Sequence, residues 1–423
     1  MEYTDLKKEL RGKVQEKMDF AKDFTDAEVE DIIDEVMMEQ EKLMIYPVEM
    51  RRRLKKELFD SLRRLDIIQV YVDDSSVTEI MINGKDHIFI EQNGRLRELG
   101  TGFESTEKLQ DVIQQIVAGC NRVVNEASPI VDARLSNGSR VNIVMNPVAL
   151  NGPIVTIRRF PDKPITMERL LQIDSISPEA AEFLKKLVRA KYNIFISGGT
   201  GSGKTTFLNV LSQYIPSEER VITIEDSAEL QLQGLPNLVQ LETRNSNVEG
   251  CREITIRELI RASLRMRPDR IVVGEVRGKE ALELLNSFNT GHDGGLSTGH
   301  GNSPADMLAR LETMVLMGAD LPLEAIRSQI ASALDVLIHL GRLRDRSRKV
   351  LWITEVDGYE KGEIRLHTLY EFQEEGEGSA GSEPEEERGR RGYAKQEKAV
   401  AGNLQKKGEL RHQEKLRTAG ETL

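Results

Sequence analysis

The chain has 423 residues and a net charge of −11, and hydrophobic residues make up 39% of it. This length is enough for two or three domains with buried cores, and the acidic balance argues against a general nucleic-acid coat without excluding a local basic groove. No apolar run reaches the roughly 20 residues of a membrane-spanning helix, and the N-terminal region is charged rather than signal-like. We therefore expect a cytoplasmic protein that reaches any membrane through a partner.

Residues 1–65 predict an N-terminal helical segment. Thr25 and Glu28 have the spacing of a capping box, and the apolar residues after them recur on one helix face. Pro47 ends that helix, and a second helix is predicted over residues 48–65, where leucines form a stripe beside many Lys and Arg side chains. These charges suit either a solvated helix face or a docking patch for an acidic partner.

Residues 66–160 predict an α+β domain of PAS-like character with an antiparallel sheet. Short β-like runs occur at 78–82 and 87–92, and residues 109–117 have the apolar spacing of one amphipathic helix. Asn-Gly pairs are strong hairpin signals because both residues tolerate a positive φ. The chain has three of them in this region: Asn93-Gly94, Asn137-Gly138 and Asn151-Gly152.

A proline-containing linker over residues 161–176 leads to an α/β domain over residues 177–372. Here short apolar strands alternate with amphipathic helices, and the strands at 220–225 and 270–276 end near carboxylates. Such alternation is typical of a mostly parallel sheet with helices on both faces. Residues 373–423 lack a sustained apolar stripe, so we expect a disordered or weakly helical charged tail there.

The strongest functional motif lies in residues 193–208, which read NIFISGGTGSGKTTFL. A buried strand, a glycine-rich loop and a helix follow one another, and the loop satisfies the G-x-x-x-x-G-K-[ST] pattern of a phosphate-binding loop. Glycines let backbone N–H groups curl around phosphate oxygens, and the helix start adds a positive dipole end. Lys204 is expected to reach the β and γ phosphates, and Thr205 to ligate Mg²⁺. The predicted nucleotide-binding residues are Gly198, Gly199, Thr200, Gly201, Ser202, Gly203, Lys204, Thr205, Thr206 and Asp226.

Three acids stand at the carboxyl ends of predicted strands, where ligands bind in a parallel α/β sheet. Glu225 and Asp226 follow VITI, and Glu275 follows IVVG. Because hydrolysis needs a hard cation and a carboxylate that orients water, we expect one acid to hold Mg²⁺ through water and another to position the nucleophile. Glu275 is the stronger candidate, although Gly274 replaces the aspartate usual at that position; with Thr205 it forms the candidate metal site. The alternatives are a solvated strand end or, for Glu225 and Asp226, helix capping.

The segment GHDGGLSTGHG at 291–301 places His292 and His300 among glycines. Irregular spacing argues against a metal pair, whereas a neutral imidazole can donate to a γ-phosphate and sense its presence. We expect a functional loop, with the stronger case for His300. Arginines near the end of the α+β domain are candidates to neutralise charge on the γ-phosphate as arginine fingers do, the alternative being a solvated strand end. They are Arg140, Arg158 and Arg159.

Taken together, these segments resemble the secretion ATPases of type II and type IV systems, most closely the CpaF branch that powers tight-adherence pilus assembly. The resemblance covers about residues 66–372 and leaves the tail outside it. It is carried, in order, by VTEIMING at 77–84, DARLSNGSRVN at 132–142, VTIRRF at 155–160, GGTGSGKTT at 198–206, TIEDSAELQL at 223–232, LRMRPDRIVVGEVRG at 264–278 and GHDGGLSTGHGNS at 291–303.

The resemblance implies a RecA-like P-loop ATPase domain in which Gly274 belongs to the family pattern, because the Walker B motif of this family uses glutamate. It also implies that Arg140 and Arg158 approach a nucleotide bound at the domain junction. The implied motifs are Walker A at Gly198 to Thr205, an Asp box at Thr223 to Glu229, Walker B at Ile271 to Glu275 and a His box at Leu296 to His300.

The resemblance further implies a Mg²⁺-dependent ATPase that forms a homo-hexameric ring and drives an inner-membrane platform protein. Two alternatives stay open: a nucleotide-gated assembly scaffold with little hydrolysis, and a nucleic-acid translocating ATPase. Intact Glu225 and Glu275 disfavour the scaffold. The acidic balance and the lack of an aromatic platform disfavour a nucleic-acid partner. The sequence leaves the cargo and the direction of work undefined.

Overall fold

The computed structural model describes residues 3–18, 24–40, 43, 45–120, 123–159, 164–244, 252–374 and 400–423. The chain divides into two compact units, Met1–Asp162 and Lys163–Leu423. Each unit has hydrophobic cores of its own. Within the described ranges, no helix combines the length and the apolar run that a bilayer crossing requires.

The first unit begins with three helices around a small core. They are α1 (Tyr3–Lys17), α2 (Asp26–Met38) and α3 (Val48–Arg63). Their apolar faces meet, with Leu10, Ile33 and Leu58 fully buried where the helices pack. Thr25 and Glu28 form the predicted capping box at the start of α2, and Pro47 occupies the N-cap position of α3. The predicted N-terminal helical segment is therefore confirmed.

The rest of the first unit is an antiparallel sheet packed against a helix. Its strands lie in the order β3-β2-β1-β6-β5-β4, and the apolar face of α5 is buried in the core. Asn93 and Gly94 have φ values of 52° and 74° and form the predicted two-residue turn between β2 and β3. After a 3-10 turn at Asp66–Ile68, the elements are α4 (Gln69–Asp73), β1 (Val77–Asn83), β2 (His87–Gln92), β3 (Arg95–Glu98), α5 (Thr106–Ala118), β4 (Ile130–Arg134), β5 (Arg140–Val144) and β6 (Ile154–Arg158).

The second unit is a nine-stranded mixed sheet with a hydrophobic core on each face. Its elements are α6 (Met167–Gln172), α7 (Pro178–Arg189), β7 (Ile194–Gly198), α8 (Lys204–Ser212), β8 (Val221–Glu225), β9 (Leu238–Glu242), α9 (Ile256–Ser263), β10 (Arg270–Val273), α10 (Ala281–Asn289), β11 (Leu296–His300), α11 (Pro304–Leu316), α12 (Leu323–Ala333), β12 (Val336–Arg342), β13 (Arg348–Glu360), β14 (Glu363–Glu374), β15 (Gly402–Lys406) and α13 (Glu414–Ala419).

Strand β7 is central to this sheet, whose order is β15-β14-β13-β12-β7-β11-β10-β8-β9. Neighbours from β12 to β9 run parallel, whereas β13, β14 and β15 extend the sheet in antiparallel fashion. Ile194 and Ile196 enter one core and Phe195 the other, so β7 is buried on both faces. The predicted α/β fold with its parallel sheet is confirmed, and the antiparallel extension adds to it.

The C-terminal strap, residues 400–423, differs from the predicted disordered or weakly helical tail. β15 pairs antiparallel with β14, and Leu410 and Leu416 are buried in the core beside β7. A segment without its own apolar stripe can still be ordered when an open sheet edge supplies partners for its backbone N–H and C=O groups. Residues 375–399 of the predicted tail lie outside the described residues.

Candidate functional site

The phosphate loop, residues 198–205, joins β7 to α8 in a conformation that requires glycine. Gly198 and Gly203 have φ values of 157° and 94°, in the region that side chains disfavour. Space is equally restrictive, because a Cβ at Gly198 would lie 2.4 Å from the carbonyl oxygen of Leu340 and 2.6 Å from Ser202 Oγ. The helix then begins at Lys204, so its free N–H groups face the loop.

Lys204 folds back over this loop. Its Nζ donates to the carbonyl oxygens of Gly198 at 3.2 Å and Gly199 at 3.0 Å, and the residue is 8% exposed. A nearly buried ammonium group is costly unless oxygen atoms surround it. The loop thus holds a cation next to the N–H groups of the helix start, which together form an anion site.

A line of charged and polar groups continues from Lys204 across the neighbouring strands. β11 runs parallel to β7 with His300 opposite Gly198, which puts His300 Nδ1 3.4 Å from Lys204 Nζ. His300 Nε2 lies 3.0 Å from Glu275 Oε1, and Glu275 Oε2 accepts a hydrogen bond from Arg277 at 2.8 Å. Three predicted site residues, far apart in the chain, therefore meet at the carboxyl ends of three neighbouring strands.

The surroundings set the charge of these groups. Burial, and then the nearby Lys204 ammonium, lower the pKa of His300 below its usual range. For Glu275, burial acts to raise the pKa, but the hydrogen bond and charge of Arg277 outweigh it and the pKa is lowered. At neutral pH the site therefore combines a neutral imidazole with an ionised carboxylate. The imidazole accepts from Lys204 at Nδ1 only when its proton is on Nε2, which faces Glu275.

Glu225 occupies the space that a side chain at position 274 would fill. A Cβ on Gly274 would lie 2.9 Å from Glu225 Cγ and 3.2 Å from its Oε1. The carboxylate is 3% exposed, and Oε1 accepts hydrogen bonds from the N–H groups of Glu229 at 2.8 Å and Leu230 at 3.0 Å. The glycine at the end of β10 thus admits an acid from the neighbouring strand β8, and two backbone donors fix its orientation.

Asp226 and the threonines complete the predicted set at this edge. Asp226 is exposed and accepts a hydrogen bond from Thr243 Oγ1 at 3.3 Å, near the end of β9, while Thr205 and Thr206 lie half-buried in the first turn of α8. No group of three or more His, Cys, Asp or Glu that could hold a metal occurs among the described residues. Mg²⁺ does not need such a cage, because it keeps water ligands and binds through one or two protein oxygens plus phosphates. The residues here fit that mode.

The structure separates His292 from His300. His300 ends β11, whereas His292 lies four residues before Leu296, where the strand begins. Because β11 is parallel to β7, His292 precedes the amino ends of the strands, at the edge of the sheet opposite the phosphate loop. The structure thus contradicts the predicted γ-phosphate contact for His292.

The predicted arginines of the first unit lie side by side in its sheet. Arg158 on β6 is directly opposite Arg140 on β5, which in turn is opposite Arg134 on β4. Directly opposed residues share a sheet face, so the three side chains form one row. Arg134 was missed as a candidate, although the hairpin register around Asn137-Gly138 could have revealed it. Arg159 follows β6, and its backbone N–H donates to Thr78. A role of these arginines in nucleotide binding stays a prediction.

Two further contacts come from strands that the sequence did not predict. Arg348 on β13 donates from Nε to the carbonyl oxygen of Gly201 at 2.8 Å. His339 on β12 lies with Nδ1 2.8 Å from Ser197 Oγ in a buried position, and burial lowers its pKa to about 4. Both residues contact β7 or its loop across the sheet, which only the strand order reveals.

The fold and the site together define a P-loop nucleotide-binding protein of the RecA type. Residues 62–418 match the family described as Type II/IV secretion system protein, and the chain belongs to this family. The match continues past residue 372 into the C-terminal strap, so the earlier limit of the resemblance was too short. Neither this match nor the relatives below single out the tight-adherence branch.

Two relatives show how much of the chain is shared. The chain is 35% identical over 310 residues to a putative conjugal transfer protein of Mycobacterium tuberculosis, covering 72% of this chain and 87% of the relative. It is 30% identical over 321 residues to the type IV secretion system protein PtlH of Bordetella pertussis, covering 70% and 94%.

A solved structure supports the fold. The pilus retraction motor PilT, crystallised with ADP, matches with a TM-score of 0.50 and 19% identity, covering 73% of this chain and 82% of that one. At this identity the likeness concerns the fold alone.

Proposed function

We propose that this protein is an ATP-hydrolysing motor of a type II/IV secretion system or of a type IV, tight-adherence pilus assembly system. The observation that carries the proposal is the line from Lys204 through His300 to Glu275, with contacts of 3.4 and 3.0 Å, at the carboxyl ends of the neighbouring strands β7, β11 and β10. Family membership supports an ATPase. Glu275 and His300 supply the carboxylate and the imidazole that hydrolysis needs in addition to nucleotide binding.

Each residue then has a role. The phosphate loop and Lys204 bind ATP, and Thr205 with Glu275 supplies protein oxygens for Mg²⁺, which would neutralise phosphate charge. Glu275, kept ionised, orients the attacking water, and Glu225 supports it from the neighbouring strand. His300, kept neutral, is the proposed sensor of the γ-phosphate from its place between Lys204 and Glu275. These roles require that the Glu275 carboxyl is ionised while the His300 imidazole is uncharged. The directions of their pKa shifts agree with this, since both pKa values are lowered.

The larger assembly belongs to the same proposal. We propose a homo-hexameric ring at the cytoplasmic face of the inner membrane, where nucleotide-driven domain motion acts on a membrane-embedded platform protein. Arg140 and Arg158, in the arginine row of the first unit, would complete the site by neutralising charge on the γ-phosphate. Their place directly opposite one another supports this, because it brings two guanidinium groups together on one sheet face.

One experiment separates the motor from a nucleotide-gated scaffold. Calorimetric ATP binding and steady-state phosphate release are measured for the wild type, Lys204→Ala and Glu275→Gln. We expect Lys204→Ala to lose both, and Glu275→Gln to keep binding while phosphate release falls at least about 100-fold. Glu324→Gln, at an exposed acid on α12, is the charge-matched control and should match the wild type.

The outcomes discriminate clearly. Tight ATP binding by the wild type without phosphate release in its assembled form would favour the scaffold. Hydrolysis by Glu275→Gln at the wild-type rate would show that Glu275 does not orient the attacking water.

A parallel series adds DNA, because the mycobacterial relative is called a putative conjugal transfer protein. A large stimulation of phosphate release by DNA would favour the nucleic-acid translocating ATPase instead.

A further inference from the structure

The hairpin between β12 and β13 places arginines beside the phosphate loop. Its sequence from 341 to 349, GRLRDRSRK, has an arginine at every second position. Leu340 is opposite Gly198 in the parallel pairing of β12 with β7, so the chain beyond Leu340 extends past the point where the loop begins. The hairpin therefore borders the loop on one side, while β11 with His300 borders it on the other.

Alternation along β12 directs Arg342 toward the loop. Ile338 and Leu340 pack in the core that contains the buried residues of α8, and side chains two positions apart share a sheet face. The position of its side chain agrees, because a Cβ on Gly201 would lie 4.0 Å from Arg342 NH1. Arg348, directly opposite Arg342, is anchored by its hydrogen bond to the Gly201 carbonyl. Two guanidinium groups thus lie against the same few loop residues.

The two arginines differ in their partners. Arg348 has the loop carbonyl, whereas exposed Arg342 makes neither a hydrogen bond nor an ion pair with any of the described residues. The acid in the hairpin turn, Asp345, is engaged by Ser347 and by the backbone N–H of Val400. Like charges directly opposite one another destabilise a strand pair. An anion next to Arg342 would relieve this repulsion and gain a charge-assisted hydrogen bond.

The position of Arg342 along the loop indicates which part of a nucleotide it meets. Backbone N–H groups of a phosphate loop cradle the α and β phosphates, and the loop lysine reaches the β and γ phosphates. Lys204, His300 and Glu275 mark the γ end, on the β11 side. Arg342 lies beside Gly201 in the middle of the loop, on the β12 side. We propose that Arg342 binds the α,β-diphosphate of the nucleotide, an inference that rests on the proposed function.

The test compares ADP with ATP, because both contain this diphosphate. Calorimetry on the full-length protein gives Kd values for ADP and for a non-hydrolysable ATP analogue. We expect Arg342→Gln to raise both Kd values by the same factor, about 3- to 10-fold, as for loss of one partly exposed charge-assisted hydrogen bond. Arg346→Gln removes the same charge from the same hairpin at an exposed position in the turn, and should leave both Kd values unchanged.

Each result bears on one claim. Wild-type Kd values in Arg342→Gln would overturn the proposal, and so would weakening of the ATP analogue alone, which would place the guanidinium at the γ-phosphate. Equal weakening by Arg346→Gln would also overturn it, since the effect would then be general electrostatics. A wild type that binds neither nucleotide would instead refute the proposed function. Unfolding temperatures of both variants show that the fold is intact.

Discussion

The two ends of strand β7 are chemically opposite. At the amino end, the backbone N–H of Asn193 donates to Asp335 at 2.7 Å, and Lys415 of the C-terminal strap lies 2.7 Å from both Asp335 and Asp293. At the carboxyl end, Lys204 lies beside His300 on one side of the loop, and arginines of the β12–β13 hairpin lie on the other side.

This difference separates a structural end of the strand from the end that holds the candidate site. Burial raises the pKa of Asp335, the Lys415 ammonium opposes that shift, and both acids at this end have a partner within the chain in Lys415. At the loop end Lys204 lies beside the N–H groups of the helix start, and exposed Arg342 makes neither a hydrogen bond nor an ion pair with any of the described residues. Charges that are paired within the chain stabilise a fold without calling for a ligand, whereas an unpaired charge favours binding of the opposite sign. Three predictions test this contrast.

The largest expected effect is on catalysis at the loop end. Gly274→Ala would bring a Cβ to 2.9 Å from Glu225 Cγ and so displace the carboxylate. We expect phosphate release to fall about 10- to 100-fold, as misplacement of a catalytic group by about 1 Å can cost. Gly278→Ala is the matched control, because its Cβ would approach Glu280 Oε2 only to 3.4 Å. Equal rates of phosphate release by the two variants would show that hydrolysis does not depend on the position of the Glu225 carboxylate.

The next prediction concerns pH and the buried His339. Its folded-state pKa is about 4, so the unfolded chain, with an ordinary imidazole, binds a proton first as pH falls below about 6.5. Stability is therefore full above that pH and is lost as pH falls toward 4. We expect about 2 kcal/mol of loss between pH 7.5 and pH 5 that His339→Gln does not show. Urea unfolding at both pH values measures it, and identical pH dependence in the variant would contradict the assignment.

The smallest effect is expected at the amino end of β7. Lys415→Met leaves Asp335 and Asp293 without their shared ammonium group, and we expect a loss of about 1 kcal/mol in the free energy of unfolding. Nucleotide Kd should not change. Lys407→Met, at an exposed strap lysine that contacts Gln405, is the control and should be neutral. A drop in nucleotide affinity with Lys415→Met would mean that the two ends are not independent.

Local features could be predicted because their causes are local. The capping boxes at Thr25 and Thr255 and the turn at Asn93-Gly94 depend on residues a few positions apart, and each forms as its spacing predicts. The phosphate loop is likewise contiguous, so its glycines and Lys204 could be assigned from order alone. The acids at strand ends needed one more assumption, a parallel sheet, and that assumption was correct for Glu225 and Glu275.

Errors arose where position in the sheet decides. His292 and His300 share one glycine-rich segment, yet the direction of β11 puts them at opposite edges of the sheet. The C-terminal strap lacks an apolar stripe, so its order depends on the open edge of β14, which nothing nearby in the sequence announces. Arg134 joins the arginine row only through strand register.

The sequence by itself determined that this chain has a phosphate loop, helices with caps and acids at the ends of β8 and β10, because short-range sterics and hydrogen bonding set those features. Only the tertiary structure decided which groups surround the loop. Arg348 lies 147 positions from Gly201, and His300 lies 96 positions from Lys204. Their meeting depends on strand order, and strand order follows from burying two hydrophobic cores at once rather than from any local signal.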